Sequence, residues 1–236
     1  MWARSFFADV FVQMSSPCST GDRKIILANC SRIWEAWSCV PMSYDHDIFI
    51  SYRRSPTVGP WVQNHLAPRL EARLNEIAPN PVSVFCDFKM AEGVNWPAEL
   101  KRSVKRSRVL LTIWSADYFR STWCMAEWQS FRQREALLGL FTAEHPQGLV
   151  YPVRYSDGDH YHAEAKLTQC RKDFSELNYP DRVFTESVLY LEFDKLVRGM
   201  ANELVMLLND VPVWSETFPV IEPAPLSPAA LERPVI

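Results

Sequence analysis

Glycine is scarce in this chain, seven in 236 residues, and no two stand in a Gly-x-Gly pair. A Rossmann dinucleotide fingerprint and a phosphate-cradling P-loop both need such glycines, because only a residue without a Cβ lets the backbone close on a phosphate; both are excluded. The six cysteines, Cys18, Cys30, Cys39, Cys86, Cys124 and Cys170, form no Cys-x-x-Cys pair and have no histidine at metal-ligand spacing. They predict reduced thiols in a cytoplasmic protein, not a disulfide frame or a zinc site. No apolar run reaches the roughly 18 residues of a spanning helix, so no membrane partner is expected. An excess of charge is also missing. Twenty-five Lys and Arg against 28 Asp and Glu give a net charge of −3, which removes the basic field that direct nucleic-acid binding requires. Phe6 to Met14 is apolar apart from Asp9, yet one preceding arginine, an internal acid and a short core make it a poor signal peptide. Residues 1–41 therefore read as an N-terminal extension, for which an upstream start codon is one explanation, since Met42 stands just before the first clear strand.

What is present is a regular alternation. With 47% hydrophobic residues the chain can bury a real core. From residue 45 short β-type runs alternate with longer helical ones, which predicts an α/β fold, a parallel sheet with helices on both faces. The predicted strands are His46 to Ser51, Val82 to Cys86, Arg108 to Ile113, Gly148 to Val153 and, more weakly patterned, Thr168 to Phe174. Pro152 suggests that the fourth ends there or lies near an edge. Predicted helices are Pro60 to Ile77, Pro97 to about Arg106, Thr122 to Leu138, and a last one whose Phe193, Leu196, Val197, Met200, Leu204, Val205 and Leu208 mark a single face. Residues 210–236 carry Pro212, Pro219, Pro223, Pro225, Pro228 and Pro234 and read as an extended or disordered tail. A chain cut to Met42–Asp210 is accordingly expected to fold with unchanged cooperativity.

Three segments carry chemistry. Ser-Thr-Trp-Cys-Met-Ala-Glu-Trp, 121–128, puts Trp123 and Glu127 four residues apart on a helix, so an aromatic plate and an acid can flank one ligand. The bland alternative is an amphipathic helix with Trp123, Cys124 and Trp128 in the core and Glu127 solvated. The first strand ends in Ser51-Tyr52-Arg53-Arg54, where an open α/β sheet meets its ligands; incidental arginines at an exposed strand end are the alternative. The Asp87 to Pro97 loop mixes charge with one glycine and ends at Trp96, so it is either a mobile binding loop or a plain connection with Trp96 packed down. Lys101, Arg102, Lys105, Arg106 and Arg108 read as a solvated helix face, and the Asp157 to His162 segment as a polar surface loop in preference to a metal site.

These blocks, in this order, resemble a TIR (Toll/interleukin-1 receptor homology) domain of the bacterial kind over about Tyr44 to Leu208. The resemblance rests on Asp47 to Arg54, on Val84 to Asp87 with the Glu92 to Trp96 segment, and on Ser121 to Trp128. It implies a flavodoxin-like five-stranded parallel sheet. Many such domains hydrolyse NAD+, which is substrate and not cofactor, and in bacteria serve anti-phage defence; some cyclise the product, and others only self-associate for signalling. Carried over by residue, the resemblance gives Glu127 the catalytic role and makes Tyr52, Arg53, Arg54, Glu92, Trp96 and Trp123 substrate contacts. It also implies TIR–TIR self-association and a separate sensor protein as partners.

Overall fold

Strand β1 (His46–Ser51) holds the organisation of the domain in its alternation, because successive side chains leave opposite faces of a sheet. In the computed structural model, which describes residues 43–90, 95–156, 158, 161–162, 165 and 168–223, Ile48 and Ile50 enter one core and Phe49 another. Ser51 leaves on the Phe49 side. The sheet has five parallel strands in the order β2-β1-β3-β4-β5, with β2 at Val84–Phe85, β3 at Ser107–Trp114, β4 at Val150–Arg154 and β5 at Lys172–Asp173. This is the flavodoxin-like order that the resemblance implied. β3 lies between β1 and β4 with all but Arg108 buried, the pattern of a central parallel strand.

On the Ile48 face lie α1 (Val58–Trp61), α2 (Ala67–Ile77) and α6 (Leu189–Asn209), which bury Trp61, Leu70 and Leu74 against Phe193, Val197, Met200 and Leu204. Asp194 on α6 joins the two helices by accepting from Arg69 at 2.5 Å and Arg73 at 2.7 Å, and these guanidinium bonds hold its carboxyl well below the usual carboxylate range. The first helix starts earlier than Pro60 and is broken by a π-helical turn at Val62–Leu66. That widening sits just before Pro68, which has no N–H to give to the carbonyl four residues back. On the opposite face lie α3 (Trp96–Lys105), α4 (Ala116–Arg120) and α5 (Thr122–Leu137), with Leu100, Val104, Tyr118, Trp128 and Phe131 in the second core. Helix α4 escapes the sequence reading because five residues are too few to show a helical period.

The fourth strand does not stop at Pro152. Its carbonyl accepts from Arg171 on the β5 side, and in a parallel strand the N and C=O of one residue face the same neighbour. The missing N–H thus points toward β5, an edge strand of only two residues, where the ladder loses little. The predicted fifth strand shrinks to two residues.

The largest departure is at the C-terminal end. Residues 211–223 form neither helix nor strand, with a turn at 216–217, and they lie packed along α3 and α5. Phe218 is 4% exposed, the Trp214 indole donates to the Lys105 carbonyl at 3.2 Å, and the Ile221 amide donates to Ser130 at 2.8 Å. Glu216 and Glu222 pair with Lys105 and Lys101, while Arg102 and Arg106 pair with Asp45 and Arg108 with Asp47. The basic cluster read as a solvated face is therefore an ion-paired seam.

This strap explains why α5 buries polar groups on several sides. Arg134, wholly buried, donates to the carbonyls of Ser107, Val104 and Lys105 at 2.7, 2.9 and 3.3 Å, closing the C-terminal end of α3, with its guanidinium 4.5 Å from the Phe218 ring. Burial pulls its pKa down to about 10. Among the described residues no helix is long and apolar enough to cross a membrane, and no group of three metal-ligating side chains occurs. Cys86, Cys124 and Cys170 are free thiols; Cys18, Cys30 and Cys39 lie outside the described residues, as do Asp157, Asp159 and His160.

Candidate functional site

The site forms where the C-terminal end of β1 meets the start of α5. Ser121 caps α5 by accepting the Cys124 amide at 3.3 Å, which fixes where the helix begins. Trp123 then falls in the first turn and Glu127 one turn later on the same side. Glu127 is not the solvated acid of the bland reading, since it is only 8% exposed. Its Oε2 accepts the Ser51 hydroxyl at 2.5 Å, and the Ser51 oxygen lies 3.0 Å from the Tyr118 hydroxyl, which also reaches the Cys124 carbonyl at 3.3 Å. Oε1 has no hydrogen bond among the described residues and is not wholly buried.

Burial drives the Glu127 pKa up to about 8, the Ser51 hydrogen bond pulls against that, and the negative charge of Asp87 adds to the rise. A carboxyl so raised, with Trp123 walling the space beside it, is a candidate functional group.

Of the residues singled out in the sequence, Trp123 walls the space at Glu127, and Trp96 and Arg54 follow outward from it. The indoles of Trp96 and Trp123 meet edge to face, centroids 4.8 Å apart, and the Arg54 guanidinium lies 5.8 Å from the Trp96 ring. Arg54 is held by Asp87 at 2.8 Å, and Asp87 also accepts the Tyr52 hydroxyl at 2.6 Å. Tyr52 itself faces away from Glu127. Its ring is in the core on the Ile48 side and only its hydroxyl reaches the loop. Arg53 is exposed and makes no hydrogen bond or ion pair among the described residues. It lines a cleft of about 460 Å³ with Arg54, Asp117, Arg120, Ser121 and Thr122, where three guanidiniums and the start of a 16-residue helix favour an anion. Glu92 lies outside the described residues.

Ser51, Tyr118, Asp87 and Arg120 were missed. Two of them left a trace, Ser51 as a hydroxyl closing an apolar strand on the same face as Phe49 and Asp87 as the first residue of the second loop. The space directly against Glu127, walled by Leu100, Lys101, Trp123, Ser130, Val220 and Ile221, measures only about 10 Å³. A hollow of about 570 Å³ at the β4–β5 edge, among Phe141, Pro152, Cys170 and Glu203, contains none of these residues.

The titration of Glu127 has a sign that can be checked. A carboxyl raised from an ordinary value of 4.5 to about 8 favours the folded state fully below about pH 4.5, and that contribution is lost as pH rises through about 8. Urea unfolding of the wild-type protein and the Glu127→Gln variant between about pH 6 and pH 9 should therefore diverge. The wild type should lose stability relative to the variant as pH rises; parallel curves would mean that Glu127 titrates normally.

A family model for the TIR domain matches residues 48–178, more than half of the chain. No curated protein matches. Among solved structures, the TIR domain of the Toll-related receptor TRR-2 from Hydra magnipapillata is similar at 17% identity and a TM-score of 0.39, over 65% of this chain and 98% of that one. The TIR domains of the activated Roq1 resistosome, which recognises the pathogen effector XopQ, are similar at 20% identity and a TM-score of 0.36, over 70% of this chain and 85% of that one.

Proposed function

Since the chain belongs to the TIR domain family, we propose that it is an NAD+ glycohydrolase, cleaving the bond between nicotinamide and ribose. The observation that carries this reading is Glu127: an acid on α5, almost buried, with the Ser51 hydroxyl on one oxygen and Trp123 walling the space beside it. Nicotinamide in NAD+ is already a cationic leaving group. Its departure needs no proton donor, so one carboxylate suffices where ordinary glycosidases use two. The ionised Glu127 meets the ribose hydroxyls and stabilises the positive charge that grows on the sugar as the bond breaks. Trp96 or Trp123 stacks on nicotinamide, and Arg53, Arg54 and Arg120 meet the pyrophosphate.

The family also contains cyclising and purely self-associating domains. The space at Glu127, about 10 Å³, admits no nicotinamide ring, so on this reading its walls part before substrate enters. Contact with a second TIR domain would supply that opening, and an NAD-depleting effector of defence, answering to a sensor protein, is the biological role that fits. Following nicotinamide release from NAD+ at several protein concentrations tests all of this. A specific activity that climbs with concentration supports an assembly-dependent hydrolase. No release when the protein is forced to assemble leaves the scaffold reading, and cyclic product identifies a cyclase.

Trp96 separates binding from packing. It is half-buried at the rim and not in the deep core, so Trp96→Ala should lower the melting temperature only slightly while weakening turnover by on the order of 1 to 3 kcal/mol, as for stacked bases. A large loss of melting temperature with turnover intact would make the ring a structural one.

A further inference from the structure

We propose that Ser51 is the positioning residue for Glu127, taking one carboxylate oxygen so that the other is presented to substrate; this rests on the glycohydrolase reading above. Ser51 is the last residue of β1, 1% exposed, and its Cα is in register with Thr112 on the central strand, so its hydroxyl sits on the most rigid part of the sheet. Glu127 comes from a helix 76 residues later and meets it at 2.5 Å. A serine hydroxyl has one proton, and an ionised carboxylate can only accept, so that proton goes to Oε2. The Tyr118 hydroxyl, 3.0 Å behind, is left to donate to the serine oxygen or to the Cys124 carbonyl. Oε1, with no hydrogen-bond partner among the described residues and not wholly buried, is the oxygen left to face a ribose hydroxyl. Without Ser51 the carboxylate would be free to turn about its terminal bond, and both oxygens would share the task badly. The same hydrogen bond favours the ionised form, opposing the burial that favours the protonated one.

Three variants test this against NAD+: Ser51→Ala, Ser51→Thr and Tyr118→Phe, each assayed for kcat, KM and the pH profile of nicotinamide release. Ser51→Ala should lower kcat by roughly 10- to 100-fold with little change in KM, the size expected when a reacting group is misplaced. The acid limb of its pH profile should move to higher pH. Ser51→Thr, which keeps the hydroxyl, should restore most of both. Tyr118→Phe leaves Ser51 in place and should shift the profile in the same direction by less, which keeps the test alive if Ser51→Ala fails to fold. A Ser51→Ala protein with wild-type kcat and an unmoved pH profile overturns the proposal. The Glu127 carboxyl is titrated in parallel by difference infrared spectroscopy, with Glu127→Gln identifying its band. If the wild-type protein releases no nicotinamide, the glycohydrolase reading fails. The infrared titration still decides on Ser51, because an upward shift in Ser51→Ala supports the hold on the carboxyl and an unchanged midpoint refutes it.

Discussion

Glu127→Gln is expected to reduce nicotinamide release from NAD+ by roughly 10²- to 10³-fold, the loss seen when one preorganised group that meets developing charge is removed. The change is nearly isosteric, and the amide can still accept from Ser51 at the position of Oε2, so the fold and the edge-to-face Trp96–Trp123 pair should survive. What disappears is the negative charge. KM should change far less than kcat, because the interaction is made mainly as the ribose becomes cationic and not in the ground state. The wild-type rate should rise with pH through the titration of Glu127 at about 8, and the residual rate of Glu127→Gln should lack that limb. Nicotinamide release by the variant at the wild-type rate would remove Glu127 from the mechanism. A matched fall in melting temperature would instead show that the substitution acted through folding.

The second large effect concerns the C-terminal strap. Ending the chain after Asp210 is expected to lower stability by about 3–5 kcal/mol, the range for deleting a buried phenylalanine. Phe218 fills the surface beside Arg134, and its removal exposes that guanidinium and the second core next to it. Ser130 loses the Ile221 amide and Lys105 loses both the Trp214 indole and Glu216. Urea unfolding of the full chain, the chain ended after Asp210 and the single variant Phe218→Ala measures the contribution directly. The truncated chain and Phe218→Ala should both unfold at lower urea, the truncation more so. Equal midpoints for all three would return residues 211–223 to the status of a passive tail. Arg134→Ala should weaken the same junction from the other side, since it takes the guanidinium from the carbonyls of Ser107, Val104 and Lys105, of which Lys105 keeps the Trp214 indole.

The contrast between these two predictions shows where information about this protein resides. Glu127 and Trp123 were found together in the sequence because the distance between them is one helical turn, a spacing that the backbone enforces whatever surrounds it. The parallel sheet follows from the same kind of local rule: an apolar run such as Val109 to Ile113 suits a central strand, and the helices between such runs cover both faces. Membership of the TIR family was legible in the three ordered motifs, and the flavodoxin-like strand order was implied by that resemblance.

The partners of Glu127 were not. Ser51 lies 76 residues away and Asp87 forty, and nothing in the local pattern of either says which distant acid it will meet. Alternation along β1 nevertheless settles a point the motif obscured: with Ile50 and Tyr52 committed to one face, Ser51 is the residue that turns toward α5, and Tyr52 reaches the site only through Asp87. Residues 211–223, with Pro212, Pro219 and Pro223, form neither helix nor strand. Proline says nothing of whether an extended segment has a surface to lie on. That was decided by the seam of Lys101, Lys105, Ser130 and Arg134, four residues from two helices that share a surface only after the sheet has brought α3 and α5 side by side.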